Sequence, residues 1–291
     1  MSLSRLLVVF SVVGLIAGGC ASTAKVEKFT FPIDPSTTLL AVDVENTRGT
    51  VEVRTRAKDG AAHVEATLDA FTTASSPSAA DQHTKTRVDV TLEQAEGRGV
   101  LRVRALNPEA TDDIAVHLVI RVPQCDGMRI VNRGGNVVAV GTKGSADITN
   151  RDGAIELRSD YPQTGDMRLL VTNGSVFLQV PPGSTGVLDL ETLKGQSILR
   201  DFSGDTNMLV ASREALMTTL NDGTNPVVVR TNDGDIRMWV MEDPEKLTRI
   251  FKIPPPNPRA YMFKEGSKRY TRNLPDDEPR HKSGTRANPG G

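Results

Sequence analysis

The chain has 291 residues, 38% of them hydrophobic and 24% charged, with a formal net charge of −1. That length is ample for one large domain or two smaller ones. Cys20 and Cys125 are its only cysteines, which excludes a disulfide framework and leaves the fold to be held by its core.

The first segment reads as an address rather than a fold. In MSLSRLLVVFSVVGLIAGGCAS, Arg5 precedes an apolar stretch from Leu6 to about Ala17, then small residues and Cys20. The stretch falls short of the roughly 20 apolar residues that span a bilayer. A charged start, a short apolar core and small residues read as a secretory signal over 1–19. Ala17-Gly18-Gly19-Cys20 resembles the lipobox of bacterial lipoproteins, with Ala17 standing where that pattern prefers leucine. The resemblance implies lipidation of Cys20 and a membrane anchor in the cell envelope, at the outer membrane in a Gram-negative cell. An ordinary signal cut near Ala17 or Ala21 is the alternative. Residues 20–28 read as a polar tether.

From Phe29 the pattern is β. Leu40, Val42 and Val44 alternate with polar or small residues, as do Val51 and Val53. Further alternating runs cover Val88 to Leu92, Val100 to Val103 and Ile114 to Val122, while Thr72 to Thr86 reads as a long polar loop. A possible sub-boundary falls near 123–128. Helix signals are weak, with one or two turns expected over Ser212 to Leu220 behind Ser212 as N-cap.

Six stretches then fall into register: VDVENTRGTVEV, RIVNRGGNVVAV, ADITNRDGAIEL, LLVTNGSVFLQV, LDLETLKGQSIL and VVVRTNDGDIRM. Each is an alternating strand, a polar residue, a glycine and a second alternating strand. A loose period near 20 residues signals stacked coils, none able to bury its face without neighbours. The expected fold is therefore all-β over 29–243, a β-solenoid-like stack of short strands with Asn/Gly corners. More sandwich-like antiparallel strands are expected in the N-terminal half. The corners fall at Asn46, Gly49, Asn132, Gly135, Asn150, Gly153, Asn173, Gly174, Gly195, Asn232 and Gly234. Glycine accepts positive φ, and asparagine tolerates it better than most residues. The pleat sends Val42, Val44, Val51, Val53, Ile130, Val137, Ile148, Ile155, Leu157, Leu169, Val171, Val176, Leu178, Leu188, Leu190, Ile236 and Met238 inwards. Asp147, Glu156, Arg168, Gln179, Asp189 and Arg237 face outwards.

The run VHLVIRVPQCDGMRIVNRGGNVVAV, followed by repeated N-x-x-G or N-G turns, resembles the bacterial putative-adhesin, or toastrack, domain. The resemblance covers roughly Asp43 to Val240. It implies a β-helix-like stack in an envelope protein, an adhesin-like surface or scaffold, and no catalytic residue.

The chemistry is sparse. Asp233 and Asp235 read as turn residues, because the Lys194-Gly195 copy of the corner puts a cation where a metal ligand would stand. No metal, cofactor or catalytic residue is assigned. His63, His83, His117 and His281 lack metal-ligand spacing, and Cys125 reads as a packed, inert thiol. The competing function is a carbohydrate-active enzyme using outward carboxylates among Asp147, Glu156 and Asp189, with Trp239, Tyr161 or Phe177 as sugar platforms. Such an enzyme needs two carboxyls roughly 5–10 Å apart. Residues 244–291 form a basic, Pro-rich tail expected to be largely disordered. From Glu245 it carries eleven Lys/Arg against five Asp/Glu, so the rest of the chain is acidic. Anionic envelope polymer or lipid head groups are its expected partners. Export argues against nucleic acid.

Overall fold

The computed structural model describes residues 8–12, 24–55, 65–74, 86–106, 113–202 and 208–242, and every regular element in them is a strand. In chain order these are β1 (Val8–Val12), β2 (Ala24–Pro32), β3 (Leu39–Asn46), β4 (Val51–Thr55), β5 (Glu65–Ala74), β6 (Arg87–Ala95), β7 (Arg98–Leu106), β8 (Ile114–Val122), β9 (Gly127–Gly134) and β10 (Val137–Val140). They continue as β11 (Ser145–Asp152), β12 (Ile155–Arg158), β13 (Met167–Asn173), β14 (Val176–Val180), β15 (Gly186–Lys194), β16 (Ser197–Asp201), β17 (Met208–Ser212), β18 (Ala215–Leu220), β19 (Pro226–Asp233) and β20 (Ile236–Val240).

Two sheets face each other, and the chain crosses from one to the other and back in each turn. A coil is one strand of the nine-stranded sheet followed in the chain by one strand of the eleven-stranded sheet. The stacking order is β7–β8, β3–β4, β9–β10, β11–β12, β13–β14, β19–β20 and β15–β16, with parallel pairing throughout. Two coils are out of chain order. β7–β8 lies outside β3–β4, and β19–β20 fills the gap between β13–β14 and β15–β16.

Antiparallel strands close both ends of the stack. β5 and β6 cover β8 and β7 at one end, and β17 and β18 cover β16 and β15 at the other. These strands pair with the terminal coils and cover their apolar ends, and in the nine-stranded sheet β6 and β18 become the edges in turn. The antiparallel character expected of the N-terminal half therefore marks both ends.

All seventeen residues read as inward from the pleat are buried, none more than 5% exposed. One apolar cluster runs from Phe29 to Val240, so there is no break near 123–128. Asp126 stitches that stretch to the first coil: its amide donates to Leu40 O at 2.7 Å, and its carboxylate accepts from Leu40 N at 2.8 Å.

Three expectations need correction. The β domain begins before Phe29, because β2 pairs with β5 from Ala24↔Thr73 onwards and so takes in most of the expected tether. Backbone pairing asks for no apolar side chain there, and Lys25 and Glu27 are joined by a 2.8 Å ion pair. The loop read over Thr72 to Thr86 starts late, since β5 runs to Ala74 with Thr72 buried. No helix forms over Ser212 to Leu220. Arg213 and Glu214 make a bend, Thr192 N donates to Glu214 O at 2.8 Å, and β18 pairs with β15. Leu216 and Leu220 are both buried, a four-residue spacing that serves period 2 as well as it serves a helix.

Candidate functional site

The corners come first, because they orient everything else. Asn46, Asn132 and Asn150 are not turn residues: they are the last inward positions of their strands, all at most 4% exposed. They stack in register, Asn46↔Asn132↔Asn150, and the column continues through Val171, Thr231 and Thr192. Their side chains donate to the carbonyls of the corner glycines. Asn150 Nδ2 reaches Gly135 O and Gly153 O, both at 2.9 Å. Asn132 Nδ2 reaches Gly49 O at 3.2 Å, and Thr231 Oγ1 reaches Gly174 O at 2.7 Å. Thr192 Oγ1 does the same for Gly234 O at 2.8 Å. Val171 has no such duty, since the carbonyls on both sides of it are already served by Asn150 and Thr231.

The glycines form a second column. Gly49, Gly135, Gly153, Gly174 and Gly234 have φ between +99° and +149°. At Gly153 a Cβ would lie 2.5 Å from Gly135 O, so shape and φ both demand glycine. Gly195 is held by space alone, with a Cβ there 2.1 Å from Gly234 O. The expected corner at Asn173 is displaced. Asn173 pairs with Asp152, two residues beyond the buried column, is exposed, and donates to Asp152 Oδ1 at 2.6 Å. Asn232 is likewise exposed near the end of β19. None of these asparagines has positive φ. Asp235 is occupied as a corner residue, accepting from Gln196 N at 3.1 Å and Arg237 Nη2 at 2.8 Å.

The opposite corners, where the chain returns to the nine-stranded sheet, hold buried Thr142, Ser159, Gln163 and Ser184. Gln163 Nε2 donates to Thr142 O at 3.1 Å and to Ser159 Oγ at 2.6 Å, and Gln163 N donates to Ser184 Oγ at 3.0 Å. Sequence reading missed this cluster. No common spacing announces it: Ser159 directly follows β12, Thr142 stands two residues after β10, and Ser184 four residues after β14.

The outer face of the nine-stranded sheet is a ladder of alternating charge. Arg102, Asp43, Arg129, Asp147 and Arg168 are direct neighbours on five successive strands. Arg129 Nη1 lies 3.0 Å from Asp43 Oδ1, and Arg168 Nε lies 3.0 Å from Asp147 Oδ1. Burial pushes the Asp43 carboxyl up, but hydrogen bonds from Arg104 and Arg129 outweigh it and hold it below the usual carboxylate range. Opposite charges facing across strands stabilise the pairing, about 0.2–1 kcal/mol per pair.

This geometry disperses the expected carboxylates. Asp147 and Asp189 sit on β11 and β15, three strand spacings apart, or about 14 Å at roughly 4.8 Å per strand. Glu156 is on the other sheet. Asp147 is paired with Arg168, Asp189 with Arg230 and Glu156 with Arg158. No two of the three make the spacing a glycosidase uses.

The outer face of the eleven-stranded sheet differs. Arg158, Gln179, Trp239 and Arg200 are successive neighbours across β12, β14, β20 and β16, with Phe177 and Arg237 in the adjoining row. Trp239 meets Phe202 edge to face, centroids 6.1 Å apart. The Arg200 guanidinium lies 4.5 Å from the Phe202 ring and that of Arg237 lies 5.6 Å from the Phe177 ring. Tyr161 stands apart, 41% exposed on a corner with Lys143 Nζ 5.8 Å from its ring. Arg158 and Arg237 pair with Glu156 and Asp235, whereas Arg200 has no carboxylate partner among the described residues. Gln179 was expected to face solvent, and it does point outwards, yet it is only 6% exposed and its Oε1 has no hydrogen-bond partner. Buried amide oxygens are rarely left so. This row is the candidate site.

Cys125 is buried, donates to Gly127 O at 3.4 Å, and burial pushes its thiol up to about 12, which keeps it an inert packed group. His117 Nδ1 accepts from Thr50 N at 3.2 Å, and burial lowers its pKa to about 4. Among the described residues no three His, Cys, Asp or Glu side chains gather as a metal site. Cys20 and the 244–291 tail lie outside the described residues, as do His63, His83 and His281; of the signal segment only β1 lies within them.

No family model matches the sequence, and no curated protein matches it. Among solved structures, the fold is similar to that of a putative cell adhesion protein from Clostridium sporogenes ATCC 15579. The identity is 8% and the TM-score 0.49, over 74% of this chain and 100% of that one. It is also similar to a putative adhesin from Bacteroides fragilis NCTC 9343, at 9% identity and a TM-score of 0.25, over 75% of this chain and 97% of that one.

Proposed function

We propose that this chain is a non-enzymatic, adhesin-like binding module of the bacterial envelope, held to the membrane by lipid on Cys20. Its ligand is an anionic, hydroxyl-rich envelope polymer lying across β12, β14, β20 and β16. The observation that carries this reading is the row Arg158, Gln179, Trp239 and Arg200. Arg200 offers a guanidinium without a carboxylate partner among the described residues, and Trp239 offers an aromatic surface. A carboxylate- or phosphate-bearing polymer supplies the anion for Arg200, and its sugar rings lie against Trp239. The three candidate carboxylates Asp147, Glu156 and Asp189 are dispersed and ion-paired, which favours binding over hydrolysis.

Equilibrium binding to polygalacturonate, with neutral dextran as control, tests the site. Arg200→Ala and Trp239→Ala should each weaken polygalacturonate binding about five- to tenfold, near 1–1.4 kcal/mol. Variants that bind as well as wild type, or equal binding to dextran, would sink the assignment. Fractionated cells test the anchor: the native protein should show a diacyl mass increment on Cys20, and Cys20→Ser should leave the membrane fraction.

A further inference from the structure

We infer that β18 is a self-association edge, at which two copies of this chain join their nine-stranded sheets through antiparallel pairing about a two-fold axis. The sheet ends in β6 on one side and β18 on the other. An exposed edge presents unpaired N–H and C=O groups, and chains that stay apart blunt it with charge, proline or a bulge. β6 (RVDVTLEQA) carries Arg87, Asp89 and Glu93. β18 (ALMTTL) has no charge, no proline and no glycine. Its outward residue Met217 is 73% exposed, and on the neighbouring strand Val187 and Leu193 are 41% and 67% exposed. These are three of the five large apolar side chains exposed among the described residues, all on one end of one face.

The occupant is a second copy rather than a lone peptide because both sheets finish at this end with uncharged edges. β17 (MLVAS) closes the eleven-stranded sheet beside β18. A partner that satisfies two such edges is itself the end of a two-sheet stack. A two-fold axis perpendicular to the sheet keeps outward residues outward, so partners must share parity. Centring it on Met217 places Met217 against Met217, Ala215 against Thr219 and Arg213 against Asn221. No like charges meet in that register, and the most exposed apolar side chain becomes covered.

The test uses the full mature chain carrying Cys20→Ser, so that lipid does not drive association. Sedimentation velocity should show a concentration-dependent dimer. Met217→Lys should weaken it at least tenfold with an unchanged melting temperature, while Thr91→Lys on the opposite edge should leave it intact. Met217→Cys should form an interchain disulfide on mild oxidation, because directly opposed residues have Cα atoms about 4.5–5.5 Å apart, within disulfide range. Cys125 is buried and should not compete. A monomer at about 100 µM, a dimer indifferent to Met217→Lys, or equal loss from Thr91→Lys would each overturn the inference.

Discussion

At the scale of single residues, the corners show how a polar side chain earns a place in an apolar core. Each tight corner turns a glycine carbonyl inwards, where water cannot reach it, and an unsatisfied buried carbonyl costs about 1–3 kcal/mol. The Asn and Thr column meets that need. An amide has two donor hydrogens and so serves two carbonyls, as Asn150 does, whereas Thr231 and Thr192 serve one each. Two substitutions separate the amide column from the glycine column. Asn150→Ala should lower unfolding stability by about 1–3 kcal/mol, and Asn150→Thr should recover part of that loss by keeping one donor. Gly153→Val should cost more than about 2 kcal/mol, since it meets a carbonyl and adopts a φ of +119°. Urea denaturation midpoints would decide. Equal stability of the alanine and threonine variants would show that the donor is not what holds the corner.

Between elements, the displaced coil β7–β8 is fastened to β3–β4 by a histidine. His117 Nδ1 accepts from Thr50 N, so the ring is neutral with its proton on Nε2, and burial opposes charging it. Its folded pKa of about 4 lies below the unfolded value of 6.5. The neutral form is therefore favoured by folding, and the unfolded chain binds the extra proton. Stability is full above about pH 6.5 and declines as pH falls to about 4, by on the order of 3 kcal/mol at most. Asp34, Asp43 and Asp152, with carboxyls held low, lose their contribution only below their ordinary range near 3.8. His117→Asn retains an acceptor for Thr50 N without a titrating ring. Its denaturation midpoint should be flat from pH 6.5 to 4.5 where wild type declines; parallel curves would refute the assignment. Much of this stack was legible in the sequence. Alternation named the inward residues, and the recurring glycine named the corners. The asparagines were misread because a residue beside a turn glycine has two explanations, left-handed backbone or buried donor. Only cross-strand register separates them, and register depends on which coils adjoin. The insertion of β19–β20 before β15–β16 leaves no local trace, because parallel coils of equal period can stack in either order. The same freedom hid the row of Gln179, Trp239 and Arg200, whose members are 21 to 60 residues apart in the chain.

For the whole molecule, the question is how the stack relates to the basic segment that follows it. Solenoids usually need a cap at the chain's end. Here the end of the described chain is not the end of the stack: β20 lies between β14 and β16, and the outermost coil is already covered by β17 and β18. Among the described residues the last backbone bond is from Met241 N to Val180 O at 2.9 Å. Truncation after Asp243 removes no described strand, ion pair or corner. The truncated chain should therefore keep its far-ultraviolet spectrum and its melting temperature within about 2 °C. The segment from Glu245 carries eleven Lys/Arg against five Asp/Glu, and exposed charges are screened beyond about 8 Å at physiological salt. Its contribution to adsorption on anionic vesicles should thus fall steeply between low and physiological salt. The row at Arg200 and Trp239, with its aromatic contact, should leave a salt-resistant share of polymer binding. The two contributions separate in a two-by-two comparison of truncation with Trp239→Ala, measured against salt. Loss of the salt-sensitive part alone on truncation, and of the salt-resistant part alone in Trp239→Ala, is the expected outcome. Unfolding on truncation would instead make the tail a structural cover of the stack, and unchanged adsorption would make it a passive extension.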